Sequence, residues 1–162
     1  MSPQIDPRGQ RFAAALTSVS FVVALATAPG ALAVGLLAVQ AALFATAVAL
    51  GVQRTPVAAA YRSFVRPRLG PPAHLEDAAP PRFAQGVGLV FTAAAMAGFL
   101  AGLHPVGYVA TGFALVAALL NATVGLCLGC EVYLLGRRAL ARLPSTTRTT
   151  TRIPATGSRT TP

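Results

Sequence analysis

The chain has 162 residues, of which 54% are hydrophobic and 10% are charged, and its formal net charge is +9. A soluble protein carries roughly 25% charged residues, so this chain has too little charge to cover a water-exposed surface. Its thirteen basic residues are all arginines, and they lie between apolar blocks instead of forming a basic face interleaved with aromatic residues. This distribution excludes nucleic acid as a partner and indicates a lipid bilayer.

Four apolar stretches have the roughly 17–25 residues that a helix needs to cross a bilayer, and they cover 12–28, 31–52, 86–103 and 106–128. Pro29-Gly30 separates the first two and His104-Pro105 separates the last two, which predicts two tight hairpins. We therefore expect an all-α membrane protein whose four spans form a compact bundle within residues 1–143. Pairs with GxxxG spacing, Gly98 with Gly102 and Gly125 with Gly129, favour close helix packing.

The arginines predict the orientation. Two precede the first stretch, five lie in the loop 53–85, six follow the fourth stretch, and the two hairpin turns contain none. Because positive charge accumulates on the cytoplasmic side, we expect a multi-pass protein of the cell (inner) membrane with both termini in the cytoplasm.

The N-terminal segment permits two interpretations. Its arginines, its apolar run and the sequence Ala31-Leu-Ala33 are typical of a cleavable secretory signal. An internal repeat favours retention instead, since the pattern D-x4-R-F-A begins at Asp6 and again at Asp77. This repeat predicts two parallel hairpins related by an axis along the membrane normal.

The repeated pattern supplies four charged residues at equivalent places, namely Asp6, Arg11, Asp77 and Arg82. One interpretation is a helix cap followed by an anchor at the membrane surface. The other is a polar cluster that lines a cytoplasmic mouth close to the cysteines.

Two short interfacial helices are expected outside the spans. Val57–Val65 places Tyr61, Phe64 and Val65 on one stripe, and we expect Pro67 to end this helix. Glu131–Leu143 forms the second basic amphipathic segment. The last segment, 144–162, is rich in Thr, Arg and Pro, and its composition predicts disorder.

Cys127-Leu-Gly-Cys130-Glu131 is the most distinctive motif. On a helix that continues from the fourth span the two thiols share a face, which suits thiol–disulfide exchange, persulfide carriage or soft metal ligation. The end of that span would disfavour a thiolate, and Glu131 adds a like charge. Two packing cysteines, kept reduced in the cytosol, are the alternative.

Other polar residues offer little chemistry. His74 could join the two cysteines and Glu131 around a metal, but His104 lies in a turn on the opposite side and there is no CxxCH haem motif. We therefore predict no metal and no cofactor. Gln40 and Asn121 are the most polar residues of the spans, and we expect hydrogen bonds between helices from both.

Four motifs in order carry a family resemblance: Ile5-Asp-Pro-Arg-Gly, Arg66-Pro-Arg-Leu-Gly-Pro-Pro, Glu76-Asp-Ala-Ala-Pro-Pro-Arg-Phe-Ala-Gln and Cys127-Leu-Gly-Cys-Glu. Over about residues 4–138 the chain resembles the bacterial, mainly actinobacterial, membrane-protein family described as domain of unknown function 4395. The resemblance implies a small integral membrane protein without an assigned activity. Genes of that family often lie beside genes for thioredoxin-like proteins and sulfurtransferases, which implies a cytoplasmic partner of one of those classes.

Three functions remain open at this point. The first is a membrane component of thiol–disulfide or sulfur metabolism that uses the CxxC on the cytoplasmic side. The second is a non-catalytic scaffold or accessory subunit, and the third is a small transporter of a sulfur compound. Whether the chain is an enzyme stays open with them.

Overall fold

The computed structural model describes residues 3–72 and 74–142, and the predicted disordered tail, 144–162, lies outside the described residues. Within the described ranges, four helices are long and apolar enough to cross a membrane, so the expectation of an all-α membrane protein is confirmed. In chain order the elements are β1 (Gln4–Ile5), α1 (Pro7–Thr27), α2 (Ala31–Leu50), α3 (Pro56–Ala60), α4 (Arg66–Leu69), β2 (Glu76–Asp77), α5 (Ala79–Leu100), α6 (His104–Val124) and α7 (Leu128–Ala141).

Two of the long helices begin before their apolar stretches. The sequence predicts spans from residues 12 and 86, whereas α1 begins at Pro7 and α5 at Ala79. The Asp6 carboxylate accepts the Arg8 N–H at 2.9 Å, and the Asp77 carboxylate accepts the Ala79 N–H at 2.9 Å. These bonds satisfy N–H groups that would otherwise have no partner, and a proline in the first turn needs none. The helices therefore extend into the polar segments.

The two starting segments are also joined to each other. Strands β1 and β2 pair antiparallel, with Gln4 opposite Asp77 and Ile5 opposite Glu76. The Ala78 N–H donates to the Pro3 carbonyl at 3.0 Å and extends this pairing. Helices α1 and α5 consequently start from one shared structure, although 71 residues separate Asp6 from Asp77.

The long helices pack α1 against α6, α2 against α5 and α5 against α6. All four contribute to one apolar core of Phe21, Ala24, Ala33, Leu37, Phe44, Ala95, Phe99, Ala110 and Ala114. Gln40 is buried beside this core and donates from Nε2 to the Thr17 hydroxyl at 3.3 Å, which is a bond between helices of the expected kind.

One glycine contact brings α5 and α6 together. A Cβ atom on Gly98 would lie 2.8 Å from the Gly107 nitrogen, so only glycine permits this approach. The expected GxxxG pairs do not form as units, because Gly102 lies in the hairpin turn with φ 73° and Gly125 lies outside a helix with φ 75°. The close approach at this crossing therefore rests on Gly98 against Gly107 and not on a GxxxG pair within one helix.

The segment after α2 differs from the prediction at its proline. Helical structure runs from Pro56 through a π turn at Tyr61–Val65 to Leu69, so the expectation that Pro67 ends the helix is wrong. Pro67 lies in the first turn of α4, after the backbone has widened into the π turn. Within this segment Tyr61 is 4% exposed and Phe64 is 66% exposed.

We expect Gly98→Ala to destabilise the bundle by about 1–3 kcal/mol, because the added methyl must push α5 and α6 apart. Gly112→Ala is the matched control, since nothing lies within 4 Å of a Cβ at that helical position. The control should be neutral or stabilise by about 0.5–1 kcal/mol. Thermal unfolding in detergent would measure both, and equal stability of the two variants would contradict the close approach.

Candidate functional site

A break between α6 and α7 determines where the cysteines lie. The sequence predicts a fourth span that continues to about Leu128, but α6 ends at Val124. Gly125 adopts a left-handed conformation with φ 75°, and its N–H donates to the Leu120 carbonyl. A residue with a Cβ is strained in this conformation, so glycine ends the helix here.

The cysteines consequently lie at the start of a helix and not at the end of one. Cys127 is the N-cap residue of the 14-residue α7, and Cys130 lies in its first turn. The N-terminus of a helix carries partial positive charge and favours an anion. The expectation that a helix end disfavours a thiolate at this pair is therefore wrong, and the dipole of α7 stabilises a thiolate at Cys127 when the pair is reduced.

Cys127 and Cys130 form a disulfide, with their Cα atoms 5.2 Å apart and both residues half-buried. The Glu131 N–H donates to the Cys127 carbonyl at 3.1 Å, while the rest of Glu131 is exposed. Its carboxylate in the first turn favours the helix but adds negative charge beside the sulfurs.

Helix α7 lies tightly against the start of α5. A Cβ atom on Gly129 would lie 2.6 Å from the Ala84 Cβ, so the two backbones are almost in contact. The ring of Phe83 in α5 also packs against the ring of Tyr133 in α7, and the two ring centroids are 5.6 Å apart. This packing holds the disulfide at a defined place above the long helices.

A cavity of about 580 Å³ begins at the disulfide and descends between the long helices. Both cysteines line it, together with residues of α1, α2, α5, α6 and the loop before β2. At its deep end are the rings of Phe21 and Phe44, whose centroids are 6.4 Å apart. The volume falls within the range of roughly 300–1,000 Å³ that small-molecule sites occupy.

Arg11 joins the cavity to the break in the chain. Its guanidinium donates to the Ala122 carbonyl at 3.3 Å and to the Thr123 carbonyl at 2.7 Å, and so satisfies the last turn of α6. Its side chain also passes beside Gly125, two residues before Cys127. Of the four charged residues of the repeated pattern, only Arg11 lines the cavity.

The other three members of the expected polar cluster bind elsewhere in the described structure. Arg82 donates from Nε to the Val48 carbonyl at 2.7 Å and from a terminal nitrogen to the Ala49 carbonyl at 3.2 Å, at the end of α2. Asp6 and Asp77 cap helices α1 and α5. The two arginines thus perform equivalent tasks on different helices and do not meet in one cluster.

Asp6 has a second partner in the connecting segment. The Tyr61 hydroxyl donates to its carboxylate at 3.1 Å, and the Tyr61 ring lies against Phe12 at a centroid distance of 5.8 Å. Burial raises the pKa of Tyr61, and the hydrogen bond to the Asp6 carboxylate raises it further. Tyr61 is accordingly a neutral hydrogen-bond donor that holds the connecting segment against α1.

Several cavity residues were not predicted from the sequence. Arg8 lines the mouth and donates to the carbonyls of Leu69 and Pro71, each at 3.2 Å. Glu76 also lines the cavity, and its Oε1 lies 3.5 Å from Nε2 of His74, which the sequence already suggested as a neighbour of the cysteines. The position of Glu76 in the motif beside Asp77 is the only sequence signal that points to it.

The cavity brings His74 together with both cysteines, as a Cys2His metal site would require. Yet within residues 3–72 and 74–142 no group of three His, Cys, Asp or Glu side chains has a geometry that could hold a metal ion. The chemistry available at the mouth is therefore that of a disulfide beside guanidinium, imidazole and carboxylate groups.

The family described as domain of unknown function 4395 matches residues 5–138, which is most of the chain. No curated protein and no solved structure gives a significant match. The match covers all four long helices, the arginines that bind their ends, and the CxxC, so the chain belongs to this family.

We expect Arg11→Gln to loosen the junction between α6 and α7, since it removes the guanidinium from the Ala122 and Thr123 carbonyls. Hydrogen exchange of the amides between residues 125 and 131 should become faster by about fivefold.

Arg82→Gln is the matched control. It should leave the exchange of that junction unchanged and accelerate exchange after α2 instead, because Arg82 binds the Val48 and Ala49 carbonyls. If both variants accelerated the same amides, the separate roles of the two arginines would be refuted.

Proposed function

We propose that this protein is a membrane component of thiol–disulfide or sulfur metabolism and that Cys127 and Cys130 are its reacting pair. One observation carries the proposal: the disulfide lies at a helix N-terminus and lines the mouth of a cavity. Cysteines that serve only to pack would be enclosed by apolar neighbours, with no helix terminus and no open space beside their sulfurs.

The reaction that suits this arrangement is exchange with a thiol of a partner protein. A partner thiolate attacks one sulfur of the Cys127–Cys130 bond, forms a mixed disulfide and expels the other sulfur as a thiolate. A second thiol of the partner then attacks the mixed disulfide and releases the reduced pair together with an oxidised partner. With a sulfurtransferase, the outer sulfur of a partner persulfide would pass to the Cys127 thiolate, and the partner would leave as a thiolate.

A cytoplasmic thioredoxin-like protein or a sulfurtransferase is the proposed partner. Leu128 and Glu131, on either side of the half-buried Gly129 and Cys130, are exposed at the start of α7, which supports access by a second protein. Arg137 lies 6.0 Å from the ring of Tyr133 and adds positive charge farther along α7. A partner with an acidic rim around its own thiols would be attracted to this end.

The proposed location is the cell (inner) membrane, with both termini in the cytoplasm. The arginines support this orientation, because the described ones bind or flank the ends of α1, α2, α5 and α6 that lie beside the CxxC. The cysteines would then face the cytoplasm, where thioredoxin-like proteins and sulfurtransferases operate.

We also propose that the four spans are two parallel hairpins derived by duplication. In addition to the two arginines that bind helix ends, an aromatic pair recurs in each half. Phe12 contacts Tyr61 at 5.8 Å, and Phe83 contacts Tyr133 at 5.6 Å. On this interpretation the cysteines were added to one half of a symmetric scaffold, since the first half has no cysteine.

Trapping tests the reaction. In Cys130→Ser the Cys127 thiolate attacks the disulfide of an oxidised partner, and Cys130 is no longer present to release that partner by attacking the mixed disulfide. After rapid alkylation of the partner's freed second thiol, a thioredoxin-like protein or a sulfurtransferase should remain attached and be identified by mass spectrometry after non-reducing electrophoresis. Cys127→Ser is the matched control and should capture much less, because Cys130 lacks the N-cap position.

The scaffold alternative predicts that the cysteines can be replaced without loss of function. If the double variant Cys127→Ala, Cys130→Ala restored a deletion strain to normal growth under oxidative stress, and neither single variant trapped a partner, the cysteines would be structural and the proposed function would be rejected.

Cysteine labelling tests the orientation. In a variant without the native pair, Arg138→Cys should react with a membrane-impermeant maleimide only in inverted vesicles, whereas Leu103→Cys should react in intact cells. Leu103 is 58% exposed in the turn between α5 and α6, so its accessibility depends on the side of the membrane and not on burial. Reaction of both positions from the same side would overturn the four-span topology.

A further inference from the structure

The lining of the cavity changes with depth. At the mouth are the disulfide and charged side chains such as Arg11. Below them are amide side chains, including Gln85 and Asn121, and the deep end is formed by the rings of Phe21 and Phe44. A ligand that matches this order has a polar, hydrogen-bonding head near the sulfurs and an apolar body below it.

One wall of the cavity reaches the outer surface of the bundle. Phe91 of α5 and Phe113 of α6 line the cavity, yet they are 36% and 63% exposed, and their ring centroids are 6.3 Å apart. Both belong to helices that are long and apolar enough to span the membrane, so in a bilayer their exposed faces would meet acyl chains. A molecule dissolved in the bilayer can therefore reach the cavity from the side.

The small side chains of the wall keep this space open. Ala84 of α5 and Ala117 and Ala118 of α6 line it, and a methyl group is the whole side chain at each of these positions. Protein interiors normally close such spaces with larger side chains, because a void forfeits dispersion contacts. A void beside a redox-active pair is consistent with a site that a ligand fills.

We propose that this cavity binds a lipid-soluble quinone, and that the quinone reoxidises the Cys127–Cys130 pair. The proposal rests on the proposed function, in which a partner's thiols reduce the disulfide, and it adds the acceptor of the electrons. Electrons then pass from the partner's thiols through the cysteines to the quinone pool of the membrane.

The step is balanced without a further reactant. Cys127 and Cys130 lose two protons and two electrons and form one S–S bond, while the quinone ring takes up both and its two carbonyl groups become hydroxyl groups. Gln85 and Asn121 each carry an amide N–H that can donate to a quinone carbonyl. The phenylalanine rings provide flat apolar surfaces for the quinone ring and its tail.

The test uses the full-length protein in lipid nanodiscs, reduced with dithiothreitol and freed from excess reductant. The probe is decylubiquinone, whose fully substituted ring cannot add thiols. The expected result is the loss of one quinone for every two thiols, followed by the quinone absorbance and by thiol titration. Cys127→Ser, Cys130→Ser should consume none.

Two variants locate the reaction. Ala118→Phe extends a ring into the cavity and should slow quinone reduction by about tenfold or more. Ala94→Phe is the matched control on the exposed face of α5 and should react at the rate of the unchanged protein. Equal rates in both variants would place the reaction outside the cavity and overturn the proposal.

Diamide, a water-soluble oxidant, separates the two proposals. It should close the disulfide in Ala118→Phe as rapidly as in the unchanged protein, and thermal unfolding in detergent at an unchanged midpoint shows that the variant is folded. If diamide closed the disulfide in the unchanged protein but decylubiquinone did not, the quinone site would be refuted and the thiol function would stand. If neither closed it, both would fail.

A photoreactive azidoquinone provides an independent measurement of binding. It should label peptides of α5 and α6 around Phe91 and Phe113, and decylubiquinone should compete with it. Labelling that an excess of phospholipid abolished but decylubiquinone did not would identify the occupant as an acyl chain and reject the quinone.

Discussion

The carbonyl groups in the last turn of a helix have no hydrogen-bond donors within that helix. In this protein two arginines from other helices donate hydrogen bonds to such carbonyl groups. Arg11 of α1 binds the end of α6, and Arg82 of α5 binds the end of α2. A glycine with positive φ follows both of these helix ends, Gly51 after α2 and Gly125 after α6. These contacts determine where two spans stop, and the second of them places the CxxC at the start of a new helix.

The cavity depends on the same arrangement of helices. Helix α7 begins after the break, its first turn lines the cavity, and it packs on α5 through Gly129 and Ala84. Several positions of α5 and α6 that line the space below it are occupied by alanine, namely Ala84, Ala114, Ala117 and Ala118, whose side chains do not fill it. The disulfide and the cavity are thus two results of one change in chain direction, and their chemistry is best understood together.

The sequence predicted the number and type of the long helices because length and apolarity alone specify them. It did not predict their ends, since helix termini depend on particular hydrogen bonds: the Asp6 cap extends α1, and Gly125 stops α6. The CxxC was recognised in the sequence, but it was predicted at the end of the fourth span, whereas it lies at the start of α7 because α6 ends earlier. The cavity lay beyond sequence reasoning, because its walls meet across separations such as the 111 residues between Arg11 and Ala122.

The pairing of β1 with β2 has a consequence for biosynthesis. Gln4 and Ile5 are synthesised before their partners Asp77 and Glu76, which follow only after α1, α2 and the connecting segment have been made. Helices α1 and α2 are therefore made while β1 still lacks its partner strand β2. Once Glu76 and Asp77 have been synthesised, the two-stranded ribbon can form, and it fixes the start of α5 relative to the start of α1.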